Sequence, residues 1–144
     1  MQRSLKIIAI IFFVNSSSLW AHSGATGIVK ERMDNFKESK ASMKLLKKAV
    51  RNKDFDVIVK EAGSIHRWAE KLTTYFPEGS NPHPSEALDL IWKEIDRFEL
   101  RAVDQLEASG RLRQAGMERD SKAAASAFSE LGKSCKACHN DYRE

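Results

Sequence analysis

The residues best placed to do chemistry lie almost at the end of the chain, in Cys135-Lys136-Ala137-Cys138-His139. The C-x-x-C-H spacing is that of a c-type haem attachment site. Two thiols so spaced can add to the two vinyl groups of one haem. The adjacent imidazole then projects from the same helical turn toward the iron. These are the only 2 cysteines, so no other sulfur competes for them. A bare C-x-x-C has other readings. A thioredoxin-like redox pair needs a βαβ context, and no strand pattern is visible. Half of a zinc site needs further ligands, and His22, His66 and His83 show no such spacing. A structural disulfide suits an oxidising compartment, but it closes a tiny loop and leaves His139 without a role.

Four segments of helical apolar spacing must position this motif. The first runs over about 25–50, with Val29, Met33, Phe36, Met43 and Leu46 as an imperfect stripe that Lys40 interrupts. The second, about 54–76, has the most regular seam: Ile58, Ala62, Ile65, Ala69, Leu72 and Phe76. Asn52 or Asp54 can cap its start, and Pro77 ends it. A loop over 76–84 holds all three prolines. The third segment, about 85–109, carries Leu88, Ile91, Ile95, Phe98, Ala102 and Leu106, with Gly110 as its expected stop. The fourth is capped by Asp120 or Ser121. Its stripe of Ala124, Phe128, Leu131, Cys135 and Cys138 carries the two cysteines on the inward face. The expected fold is all-α, an antiparallel four-helix bundle with the haem between helices, anchored on the last one.

Residues 1–21 read as a signal peptide. Arg3 and Lys6 precede an unbroken apolar run from Ile7 to Val14, and cleavage is expected after Ala21, with Ser23 as runner-up. The run is too short for an ordinary transmembrane helix, so an uncleaved anchor is the lesser alternative. Export agrees with covalent haem, which is attached outside the cytoplasm, in a bacterium in the periplasm. Residues 22–144 then form one domain, with no membrane association after cleavage. The leader holds two of the basic residues and no acid, so the formal charge falls from +4 to +2. Acids and bases are interspersed, which reads as a solvated helical surface rather than a nucleic-acid footprint. No Ser/His/Asp arrangement, paired carboxylate site or phosphate loop stands out, so the chain does not read as an enzyme.

The chain resembles the cytochrome c-prime family over essentially all of the mature sequence. The resemblance rests on 135–143, on Phe76-Pro77-Glu78-Gly79-Ser80, on Ile91-Trp92 followed by Phe98, and on Arg32-Met33 with Met43-Lys44. It implies one covalent haem c, thioether bonds at Cys135 and Cys138, and His139 as proximal iron ligand. It also implies that Arg143 stands beside that histidine, one turn on, and that Arg32 lies near the haem propionates. For both arginines the plain alternative is an exposed charge. The resemblance leaves a homodimer open, with the first and second helices as its interface. The redox partner is not specified.

Within that family the sixth iron position divides function. Some members place a methionine there, four residues after the first-helix arginine, and are low-spin electron carriers. Others place a bulky apolar residue there and are five-coordinate and high-spin. Here Arg32 leads to Phe36, which has no donor atom. The resemblance then implies a periplasmic haem protein that binds nitric oxide or carbon monoxide, or carries electrons. An apolar distal wall penalises polar or anionic ligands more than neutral diatomics. The alternative is a low-spin carrier with Met33 as ligand; Met43 and His66 are weaker candidates. A methionine at helical spacing is more often core filler. Trp68 and Trp92 extend the core or cover a subunit interface, and Tyr142 packs near the cofactor edge.

Overall fold

The computed structural model describes residues 24–144, so the leader, its cleavage site and His22 lie outside the described residues. The helices are α1 (Gly27–Asn52), α2 (Phe55–Ala69), the single turn α3 (Leu90–Lys93), α4 (Ile95–Met117) and α5 (Ser121–Tyr142), with a 3-10 turn at Leu72–Tyr75. Four of them, α1, α2, α4 and α5, form an antiparallel bundle. The helices pack in a closed ring: α1 on α2, α2 on α4, α4 on α5 and α5 on α1.

The two tight hairpins use one device twice. Lys53 and Arg119 adopt left-handed backbone, φ 57° and 55°. The following amides close back onto the helix just ended, Asp54 N–H on the Ala49 carbonyl and Asp120 N–H on that of Ala115. This is the Schellman stop with a long basic side chain where glycine is usual. Each is followed by the aspartate that caps the next helix. Asp54 accepts from Val57 N, and Asp120 from Lys122 N and Ala123 N.

The seam expected of the second segment is buried from Ile58 to Phe76, although the α-helix stops at Ala69 and a 3-10 turn carries Leu72 inward. The third segment departs more. Residues 85–89 are not helical, and Glu94 (φ −127°, ψ 43°) breaks the helix between α3 and α4. The break rotates Ile95 outward to 40% exposure, against the expected stripe. Gly110 does not stop this helix, which continues to Met117 and buries Leu112 and Ala115. A Cβ at Gly110 would sit 3.3 Å from His66 Cε1, so the glycine serves a close approach to α2. His66 Nδ1 donates to the Leu106 carbonyl at 3.0 Å, making that histidine a pin between α2 and α4.

The core divides in two. One end is aliphatic and built on small residues: Ala49, Ala62, Ala108, Ala115, Ala124 and Ala127 with Leu46, Ile58, Leu112 and Leu131. Small side chains let the helices close there. The other end is aromatic, with Trp68, Phe76, Phe98 and Tyr142, and Phe36 and Cys138 packed against it. Bulky rings hold the helices apart, and the space between them is the site.

Candidate haem site

A cavity of about 670 Å³ opens at the aromatic end of the bundle. That volume suits a cofactor site, for which roughly 300–1,000 Å³ is usual. Its wall includes Cys135, Cys138 and His139 from α5, Met33, Phe36 and Met43 from α1, and Phe76, Phe98 and Gln105. The motif residues Cys135, Cys138 and His139 therefore share one cavity with Met33, Phe36, Arg32 and Arg143. The stripe on α5 accounts for the thiols. Leu131 is fully buried, and Cys135 and Cys138 follow it on the same face, half-buried and unbridged.

The state of these groups separates the readings of the motif. Burial pushes the Cys138 thiol up to about 11, with Cys135 and Asp141 adding to the rise, and burial also raises Cys135. A redox pair works as thiolate and is found in electropositive surroundings that lower the pKa. Among the described residues no three His, Cys, Asp or Glu side chains converge as a metal cage. His139 is held below its usual value, first by burial and then by the Arg143 charge, with Glu86 opposing. Both effects favour the neutral imidazole, the form that ligates a metal.

Arg32 is buried, 2% exposed, and carries the loop on its side chain. Nη1 donates to the Tyr75 carbonyl and to Ser80 Oγ, both at 3.0 Å. Nη2 donates to the Ser80 carbonyl at 2.6 Å and to Ser85 Oγ at 2.8 Å. The guanidinium also stacks over Phe76, 4.3 Å from the ring centroid. Burial lowers its pKa, and none of these partners is a carboxylate. A buried cation on a cavity wall whose hydrogen-bond partners are all neutral suits an anionic group in the cavity, such as a haem carboxylate.

Arg143 stands one turn beyond His139, its N–H donating to the His139 carbonyl at 3.2 Å; its own backbone is extended and its side chain pairs with Glu86. An antiparallel bridge joins it to Ala87, and Leu88 N–H donates to the Tyr142 carbonyl at 3.0 Å. The chain end is thus strapped to the loop across the cavity rim. Arg97 and Arg101 on α4 both reach Asp141, at 3.3 and 3.0 Å, holding the last turn of α5 and so the thiol and imidazole. Neither these arginines nor Gln105, a buried amide on the cavity wall, stands out in the sequence. They lie among many similar polar residues, and only the packing distinguishes them.

Phe36 occupies the wall facing His139, with ring centroids 6.3 Å apart. Its own ring is held edge-on by Trp68 at 5.4 Å and by Phe76 at 6.4 Å. Met33 and Met43 also line the cavity. His66 does not, since α4 engages it. Trp68 and Trp92 both belong to the aromatic core.

A four-helix bundle with two thiols and an imidazole facing one cavity, beside a buried arginine, defines a bundle-type c-type haem protein. The chain belongs to the cytochrome c' family, whose profile matches residues 27–143. It is 35% identical over 86 residues to cytochrome c' of Pararhodospirillum photometricum, covering 59% of this chain and 69% of that one. It is 36% identical over 95 residues to cytochrome c-554 of Cereibacter sphaeroides, covering 63% and 71%. Cytochrome c prime from Shewanella frigidimarina has the same fold, with TM-score 0.75 at 23% identity over 81% of this chain and 94% of that one. A nitric oxide complex of a mutant cytochrome c prime from Alcaligenes xylosoxidans superposes with TM-score 0.73 at 22% identity, covering 81% and 94%. The cofactor is one covalent haem c.

Proposed function

We propose that Cys135 and Cys138 carry the thioethers, that His139 is the proximal ligand, and that Phe36 is the distal residue of a five-coordinate, high-spin haem. The protein then binds neutral diatomic gases, nitric oxide or carbon monoxide, or carries electrons, and is not an enzyme. The observation that carries this reading is the donorless Phe36 ring, 6.3 Å from the His139 ring and backed by two further aromatic rings. When bound, the haem supplies the redox and gas-binding chemistry. The chain favours the neutral imidazole and presents a buried cation at Arg32. At Phe36 it sets an apolar wall that disfavours water and anions. The leader reading places the protein in the periplasm, with 1–21 removed and 22–144 as the haem-binding domain. No described helix is long and apolar enough to cross a membrane. One solved relative of this fold is described as showing ligand-controlled dimer dissociation; a homodimer through α1 and α2 is proposed here by that likeness.

A second reading keeps Met33 as sixth ligand, because its side chain lines the same cavity. Optical spectra of the purified ferric and ferrous protein, with and without carbon monoxide, separate the two. A five-coordinate haem lacks the weak far-red band of a Met-ligated ferric haem. Denaturing mass spectrometry tests the attachment itself, and a chain mass without retained haem overturns the assignment of the cysteines.

A further inference from the structure

Phe36 is held in place by a residue that does not itself line the cavity. Trp68, on the last turn of α2, is 4% exposed, and its indole meets the Phe36 ring edge-on at 5.4 Å with an interplanar angle of 87°. On its other side Tyr75 packs against it at 5.0 Å, and Lys71 Nζ lies 5.9 Å from its ring centroid. The indole is thus clamped between α1 and the 3-10 turn. Among the described residues its N–H has no acceptor within hydrogen-bonding distance. No hydrogen bond through that donor fixes the ring, and a buried donor left unpaired is a cost. The ring is instead held by packing against Phe36 and Tyr75. Phe36 has Trp68 behind it, Phe76 at a second edge and the cavity in front. Trp68 and Phe76 thus bound Phe36 on the sides away from the cavity.

We infer that Trp68 is a positioning residue, the backstop that keeps Phe36 over the iron site and so sets how readily a gas ligand enters. The inference rests on the distal assignment of Phe36 made above. It requires that Trp68 act through Phe36, which a purely structural role does not.

The test is carbon monoxide association to the ferrous holoprotein in wild type, Trp68→Leu, Trp68→Phe, Phe36→Ala and Phe36→Ala/Trp68→Leu. Losing an edge-to-face aromatic pair corresponds to about two- to tenfold. Trp68→Leu should speed association by about that factor, and Trp68→Phe, which keeps a ring, should fall between it and wild type. In the Phe36→Ala background the same Trp68→Leu change should have less than about a twofold effect. Thermal unfolding of the same set gives a readout independent of ligand, a coupling between Phe36 and Trp68 of about two- to tenfold in the unfolding constant. Equal acceleration in both backgrounds, or none in a folded Trp68→Leu protein, overturns the backstop. If Trp68→Leu does not fold, an unchanged rate in Trp68→Phe overturns it instead. A wild-type spectrum that is already six-coordinate overturns the distal assignment and the backstop together, whereas a five-coordinate spectrum with no Trp68 effect overturns the backstop alone.

Discussion

Replacing Arg32 with methionine probes the join between helix α1 and the loop over the cavity. The side chain keeps an unbranched apolar stem and loses the guanidinium, with its charge and its four donated hydrogen bonds. Two of those, to Ser80 Oγ and to the Ser80 carbonyl, are buried. A buried acceptor stripped of its donor costs about 1–3 kcal/mol. Against that loss stands the relief of a desolvated guanidinium with no carboxylate among its hydrogen-bond partners. The balance is a destabilisation of roughly 2–3 kcal/mol, which for a domain of this size lowers Tm by roughly 6–15 °C. The loss should be local in origin. Ser80 N–H bonds the Pro77 carbonyl and Ser85 N–H bonds that of Pro82, both at 3.0 Å. These two amides should therefore exchange faster in the variant, while those in the aliphatic half of the bundle keep their order of protection. Thermal denaturation with hydrogen exchange on the holoprotein reads both effects. A Tm within about 2 °C of wild type together with unchanged exchange at Ser80 and Ser85 refutes the view that Arg32 holds the loop.

Phe36→Met should convert part of the ferric population to a six-coordinate low-spin form, visible as the far-red band; if wild type already shows that band and Met33→Ala abolishes it, the distal residue is Met33. Gly116→Ala should destabilise by about 1–3 kcal/mol in a denaturant melt, because the new Cβ would meet Ile58 Cγ2 at 2.9 Å and Val59 Cγ2 at 3.0 Å, both on stiff β-branched side chains. Asp120→Ala should cost about 1 kcal/mol by the same assay, since two amides of the first turn of α5 lose their acceptor.

The four-helix pattern is legible because a buried helical face repeats every three to four residues whatever it packs against. The α2 seam and the α5 stripe through Cys135 and Cys138 show this most clearly. Local rules are less reliable at the helix ends. Gly110 has the composition of a stop and lies inside α4, because it was needed for the approach of His66. Arg119, with no such signature, makes the real turn, since the Schellman bonds and the Asp120 cap offset the left-handed backbone. Ile95 matches the periodicity and points outward, because the break at Glu94 resets the phase of the helix.

By itself the sequence determined the chemistry near its end: two thiols and an imidazole at a fixed short spacing, which one helical turn must bring together. It also determined that residue 36 lacks an iron donor. Only the tertiary structure decided what faces what. Phe36 and His139 are about a hundred residues apart, and their rings meet because α1 closes the ring of helices against α5. Arg32 became a loop anchor, Arg143 a strap on Glu86 and Trp68 a support behind Phe36 through contacts that no periodicity encodes. The reason is physical. A helical repeat specifies which side of a residue is buried, whereas its neighbours there depend on how the separate helices pack.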